Sequence, residues 1–279
     1  MNIQELRKQP HYSFSAINEY LMCGLKYRFS RIDKIQPEFT PDVLIFGKSI
    51  HRVCEEFNYQ CLMGEIPPLP TLVSVFETCW DKAVETDDTI KYSRGKDYHA
   101  LRKEGAAITK KFYENRITDK HQIIAIEEPF SIEIEGLPYP FIGVIDLIEM
   151  DNSGGLIITD YKTAGKAYTK AQTDENMQLT LYQIAMRQNG YLETDIMLKF
   201  DVLVKTKEPK FQRCPTVRTD EDIKRFLKVV QLAYHGISQE VFIPTTTSWM
   251  CGNCQFKKYC DQYLMENHYE TEYATEASI

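Results

Sequence analysis

The chain has 279 residues, 43% hydrophobic and 26% charged, with 33 Lys and Arg against 40 Asp and Glu. That make-up excludes a disordered or fibrous class and leaves chain enough for one large domain or two. A net charge of −7 also argues against nucleic-acid binding through overall charge, since such binders are usually basic. Local stretches run the other way: 91–116 carries eight Lys or Arg against three acids, and 199–213 five against two.

The start, MNIQELRKQP, has no apolar signal core, and no run approaches the ~20 apolar residues of a membrane span. The expectation is a cytoplasmic protein with no membrane partner, in a reducing interior where cysteines bind metal more often than they pair.

In chain order, Ser15 is placed to cap a helix over 16–29 that would carry Cys23. Pro41 precedes a helix over 43–62, with Ile50, Val53, Cys54, Phe57 and Cys61 as its apolar stripe. A second helix covers 71–86, and much of 91–116 reads as a basic helix. Arg94, Lys96, Arg102, Lys103, Lys110 and Lys111 there are candidates for phosphate contacts, against the plainer reading of a solvated face. Strands follow near 122–134, 138–149 and 156–163. A helix over 176–188 has Met177, Leu181, Ile184 and Ala185 at helical spacing. An apolar strand near 195–206 leads to a helix over 220–236, acidic at its start and ending at Gly236. The chain closes with a cysteine-rich module and an acidic tail from His268, expected to be frayed.

The strands at 138–149 and 156–163 form the most informative element. FIGVIDLIEM and LIITDYKT flank the turn DNSGG, which reads as an antiparallel hairpin. Asp160 and Lys162 are two apart and share a face. With 151–155 as the loop, Asp146 falls opposite Asp160. Opposed carboxylates destabilise a hairpin, and a divalent cation would offset them, since Mg²⁺ is held by one or two carboxylates with water and phosphate oxygens. On the following helix Gln178 and Tyr182 are four apart and share a face.

The order Gly143-x-x-Asp146, Asp160-x-Lys162-Thr163, Gln178-x-x-x-Tyr182, with Gly47-x-x-x-His51 upstream, resembles the PD-(D/E)XK nuclease superfamily and its RecB-like exonuclease branch. Two positions depart from the common pattern: Ile145 stands where proline is frequent, and the middle acid is Asp160 rather than glutamate. The resemblance implies an α/β, restriction-endonuclease-like mixed sheet flanked by helices, with a helical N-terminal part and a C-terminal cysteine module. It implies a Mg²⁺- or Mn²⁺-dependent deoxyribonuclease, an exonuclease acting on single strands or ends in recombination, repair, phage replication or CRISPR adaptation. A helicase or an integrase is then a conceivable partner. Asp146, Asp160, the Tyr161 carbonyl and His51 would hold the metal. Lys162 would orient water or stabilise developing charge, and Gln178 and Tyr182 would position the lysine or the phosphate. Glu128, on the strand before the hairpin, is a further candidate for the metal shell. The alternative is a non-catalytic nucleic-acid-binding or complex-forming subunit, but such a module has no need of Asp146, Asp160 and Lys162 together.

The cysteines give an independent signal. Cys251-Gly-Asn-Cys254 followed by Cys260 has the spacing of metal ligands and lacks a fourth, for which Cys23 is the best candidate. Ligand chemistry alone admits zinc or an iron–sulfur cluster. The resemblance, to the iron–sulfur branch that includes the CRISPR adaptation exonucleases, implies a [4Fe–4S] cluster on Cys23, Cys251, Cys254 and Cys260. Cys54, Cys61, Cys79 and Cys214 read as core residues, and His11, His99, His121, His235 and His268 have no partner at ligand spacing. Joining Cys23 to the trio would fold residues 1–267 into a single nuclease domain, with 268–279 as the tail.

Overall fold

A computed structural model describes residues 2–191 and 195–265, so the expected acidic tail lies outside the described residues. The N-terminal part runs through α1 (Ile3–Leu6), α2 (Phe14–Met22) and α3 (Gly24–Tyr27) into a π turn, Arg28–Ile32. The expected single helix over 16–29 is therefore broken. Ser13, not Ser15, caps α2, and Cys23 sits in extended backbone between α2 and α3. The break follows from contact with the far end of the chain. A Cβ at Gly24 would lie 2.9 Å from the Ile243 nitrogen, and the Gly24 N–H donates to the Ile243 carbonyl.

Short β1 (Thr40–Pro41) leads to α4 (Asp42–Leu62), then α5 (Leu69–Thr86), short β2 (Ile90–Lys91) paired with β1, and α6 (Tyr98–Arg116). Asp97 caps α6, so Lys91, Arg94 and Lys96 precede the helix rather than lie in it. The main sheet is β3 (Gln122–Ile132), β4 (Phe141–Met150), β5 (Leu156–Ala164), β6 (Ile196–Val204) and β7 (Lys210–Thr216), in that spatial order. Only β5 and β6 run parallel. Their connection carries α7 (Lys170–Asp174) and α8 (Met177–Gln188), as a parallel crossover requires. After β7 come α9 (Asp220–Ser238), a 3₁₀ turn (Trp249–Asn253) and α10 (Lys257–Met265). The sequence reading had no β7. Its KFQRCPT alternates poorly and contains Pro215, which a strand tolerates at a sheet edge.

Each face of the sheet is covered, as a mixed α/β layer architecture demands. On one side Phe46, Ile50, Val53 and Phe57 of α4 pack with Trp80 of α5 and Phe112 of α6 against Leu147, Tyr161 and Leu203. On the other, α8 and α9 bury Leu179, Leu181, Phe226 and Val230 against Phe141, Ile158 and Phe200. Gly143 belongs to this second layer. A Cβ there would meet the Phe130 ring at 2.5 Å, so the neighbouring strand requires glycine. A smaller cluster of Leu25, Phe29 and Phe256 gathers around the cysteines.

Candidate active site

The hairpin loop falls at 151–155 as expected, with Leu147 paired to Thr159 and Met150 to Leu156. The ladder stops there. From Asp160 onward β5 stays bonded to β6, while no further β4 pairing continues. Asp146 and Asp160 are thus not ladder partners, an arrangement that two facing carboxylates would resist. The Asp146 carboxylate instead fills the fork between the strands, where its Oδ2 accepts from the Tyr161 N–H at 2.8 Å.

Three of the predicted side chains converge on Asp160, which is 1% exposed. Its Oδ1 accepts from Gln178 Nε2 at 2.7 Å and lies 2.9 Å from the Tyr182 hydroxyl. Its Oδ2 has an ion contact with Lys162 Nζ at 2.6 Å and no well-formed hydrogen bond among the described residues. Lys162 in turn donates to Gln178 Oε1 at 2.9 Å. The helical spacing of Gln178 and Tyr182 is what lets both reach one carboxylate, and Asn176 fixes the start of α8 as its N-cap.

His51 comes from α4, with Nδ1 3.5 Å from Asp146 Oδ2. Burial lowers its pKa, against the opposing pull of Asp160, which favours the neutral imidazole that metals bind. Burial and the Asp160 charge raise Asp146 well above the usual carboxylate range. Burial alone would lower Lys162, but the Asp160 and Asp146 carboxylates outweigh it and hold the ammonium charged.

The structure adds Glu127 to this group and removes Glu128. The register steps from Ile126↔Leu147 to Glu128↔Ile145, so Glu127 stands across from Asp146. Its φ of +49° is unusual for a non-glycine residue and belongs to the kind of local strain that gathers at functional sites. Glu127 is exposed at the surface, yet partial desolvation of its carboxyl, followed by Glu55 and Asp160, pushes it up to about 7. Glu55 is four residues beyond His51 and ion-pairs with Arg52 at 2.5 Å. A backbone reversal of sign at one strand residue leaves no mark in the sequence. Glu55 was findable, because the i, i+4 spacing puts it on the His51 face.

Among the described residues no three His, Cys, Asp or Glu side chains form a ready-made ion cage, here or at the cysteines. At this site the carboxylates are tied to internal donors. The donor set still suits a hard divalent cation: two carboxylates, a backbone carbonyl and a neutral imidazole converge beside a buried carboxylate oxygen lacking a well-formed hydrogen bond.

The other predicted groups fare differently. Arg102 is clamped by Asp81 at 3.0 Å and Glu77 at 2.8 Å, Lys96 pairs with Glu104 at 2.6 Å, and Lys110 and Lys111 both face Glu114. Of the six proposed phosphate contacts, only Arg94 and Lys103 have no ion pair among the described residues. Cys23, Cys251, Cys254 and Cys260 do come together, lining one cavity of about 200 Å³ with Leu25, Phe29 and Phe256. Burial raises the Cys260 thiol, and Cys23, Cys254 and Cys251 are near enough to add to the effect. Four thiols gathered at one place suit either a zinc ion or an iron–sulfur cluster.

A mixed sheet with an acidic fork, a lysine two residues past the second acid and helices on both faces defines a restriction-endonuclease-like nuclease fold. The sequence profile of the PD-(D/E)XK nuclease superfamily matches residues 11–261, and the chain belongs to that superfamily. A crystal structure named "Putative exonuclease" from Eubacterium rectale is similar in fold, with a TM-score of 0.56, 13% identity and 87% of each chain covered. The crystal structure of SSO0001 aligns over 89% of this chain and 95% of its own at 13% identity, with a TM-score of only 0.35. No curated protein matches the sequence significantly. Among the described residues no helix is long and apolar enough to cross a membrane.

Proposed function

We propose that the chain is a metal-dependent DNA exonuclease that hydrolyses phosphodiester bonds of single strands or DNA ends. The observation that carries this reading is the convergence of Asp146, Asp160, Lys162, Gln178, Tyr182 and His51 around the fork between β4 and β5. A bound Mg²⁺ or Mn²⁺ supplies neutralisation of the phosphate and acidification of water. Asp146, Asp160, the Tyr161 carbonyl and His51 would hold it. Lys162, kept charged by its neighbours, is suited to stabilise negative charge developing on the scissile phosphate. Gln178 anchors that ammonium through Oε1 while its amide nitrogen grips Asp160, so one side chain sets the spacing of two catalytic groups. Tyr182 fixes Asp160 from the far side.

A [4Fe–4S] cluster on Cys23, Cys251, Cys254 and Cys260 belongs to the same reading, supported by the shared cavity of the four thiols. Arg94 and Lys103 are the cations of the basic stretch best suited to phosphate, since each of the other four candidates has a carboxylate neighbour.

Cleavage of end-labelled single- and double-stranded DNA in Mn²⁺, Mg²⁺ or EDTA, beside the Asp146→Ala protein, tests the proposal. Metal-dependent degradation that disappears in the variant is expected. Cleavage that persists in Asp146→Ala would remove this fork as the active site.

A further inference from the structure

Tyr161 stands between Asp160 and Lys162, and both its N–H and its hydroxyl are engaged. Its N–H holds the Asp146 carboxylate, which His51 Nδ1 approaches at 3.5 Å. The side chain passes to the opposite face of the sheet, 1% exposed, with its ring 5.7 Å from that of Phe112. There the hydroxyl meets Asn58 of α4, 3.1 Å from Nδ2 and 3.4 Å from Oδ1. Asn58 Oδ1 accepts from Arg116 Nη2 at 3.2 Å, and the same nitrogen donates to Glu149 Oε1 at 2.8 Å. Arg116 also pairs with Asp119, and Glu149 with Lys199, which reaches Asp201.

Arg116, Glu149, Lys199 and Asp201 are all buried. Charges taken out of water cost more than well-packed apolar residues of similar size, so such a network is poorly explained by stability alone. Its location is informative. Asn58 lies seven residues beyond His51 on α4, two helical turns or about 10.5 Å along the same stripe. The helix therefore reaches both ends of Tyr161: His51 approaches the Asp146 carboxylate that its N–H holds, and Asn58 meets its hydroxyl. A slip of α4 along β5 would break both contacts.

We propose that Asn58 and Arg116 are positioning residues of the metal site, acting through the Tyr161 hydroxyl. They fix the tilt of the peptide groups on either side of Tyr161, and with it the aim of the Tyr161 carbonyl and the grip of its N–H on Asp146. The proposal rests on the nuclease reading above and extends it to the opposite face of the sheet.

Titration with Mn²⁺ followed by calorimetry, with melting temperature in EDTA recorded beside it, tests this without recourse to cleavage. Asp146→Ala should abolish Mn²⁺ binding. Tyr161→Phe keeps the ring and removes only the hydroxyl. Asn58→Leu keeps the shape and removes the amide. Each should weaken Mn²⁺ binding about tenfold, as loss of a group that orients metal ligands does. The double variant should be no weaker than either single, because the two act through one contact. Unchanged Mn²⁺ affinity in Tyr161→Phe or Asn58→Leu, whatever the melting temperature, would reduce the network to a structural role and overturn the proposal. Additive losses in the double variant would overturn it as well. A wild type that binds no Mn²⁺, or an Asp146→Ala protein that binds it equally, would fail the nuclease reading first and take the proposal with it.

Discussion

At Asp160 a buried carboxylate is surrounded by Lys162, Gln178 and Tyr182, drawn from one strand and one helix. Asp146 and Glu127 have less compensation. The first has one backbone donor and the second faces acids on two sides, so both carboxyls are raised above their ordinary values. The sign of the consequence follows. An acid with a raised folded pKa binds more protons folded than unfolded, so its contribution is present at low pH and lost as pH rises. For Glu127 the window runs from its ordinary value of 4.5 to about 7. In EDTA the melting temperature of the wild type should fall between pH 5 and pH 8, and Glu127→Gln should flatten part of that fall. Asp146, raised for the same reason, keeps the remainder. An identical pH profile in Glu127→Gln would show that its carboxyl does not feel the neighbouring charges.

At the scale of elements, the hairpin and α8 were legible because their signals are local. A Gly-containing turn set the loop at 151–155, and the four-residue spacing of Gln178 and Tyr182 put both on one face. What escaped the sequence depends on partners distant along the chain. The break at Cys23 follows from the backbone of residues 242–243, and Gly236 lies inside α9 rather than ending it. A Cβ at Gly236 would come 2.1 Å from the Tyr20 hydroxyl, so it answers to α2 and not to a cap. The pairing of Arg102 was hidden for the same reason, since the charge count of 91–116 contained no information on Asp81 or Glu77 as partners. Two outcomes separate these roles. Arg94→Ala with Lys103→Ala should weaken DNA binding and reduce the slope of log affinity against log salt by up to about 2 on single- or double-stranded DNA. Arg102→Ala should leave that slope unchanged and cost stability, since two carboxylates lose their partner. Equal slopes for the double variant and the wild type would exclude those cations as phosphate contacts.

At the scale of the molecule, the N-terminal and C-terminal segments are joined to each other. Tyr20 bonds the Val241 carbonyl, Thr245 bonds the Met22 carbonyl, and Gln255 bonds the Phe39 carbonyl. The four cysteines lie within this seam, over a hydrophobic cluster that among the described residues has three buried members, Leu25, Phe29 and Phe256. Burial of these three side chains is worth roughly 5–9 kcal/mol, at about 1.5–3 kcal/mol each. A group ligated by all four thiols would tie residue 23 to residue 260 and constrain nearly the whole unfolded chain, as a long-range cross-link does, worth on the order of 3–5 kcal/mol. For a chain of this length that corresponds to roughly 10 °C in melting temperature. Cys254→Ser, purified without oxygen beside the wild type, should melt lower by about that amount. It should also lose the brown colour and the bound iron of the proposed cluster. Cys79→Ser, at a half-buried thiol away from the cavity, should change neither iron content nor colour. A wild type carrying stoichiometric zinc and no iron would replace the cluster by a structural ion. A wild type carrying neither metal, and as stable as Cys254→Ser, would leave the seam to its hydrogen bonds and three apolar side chains.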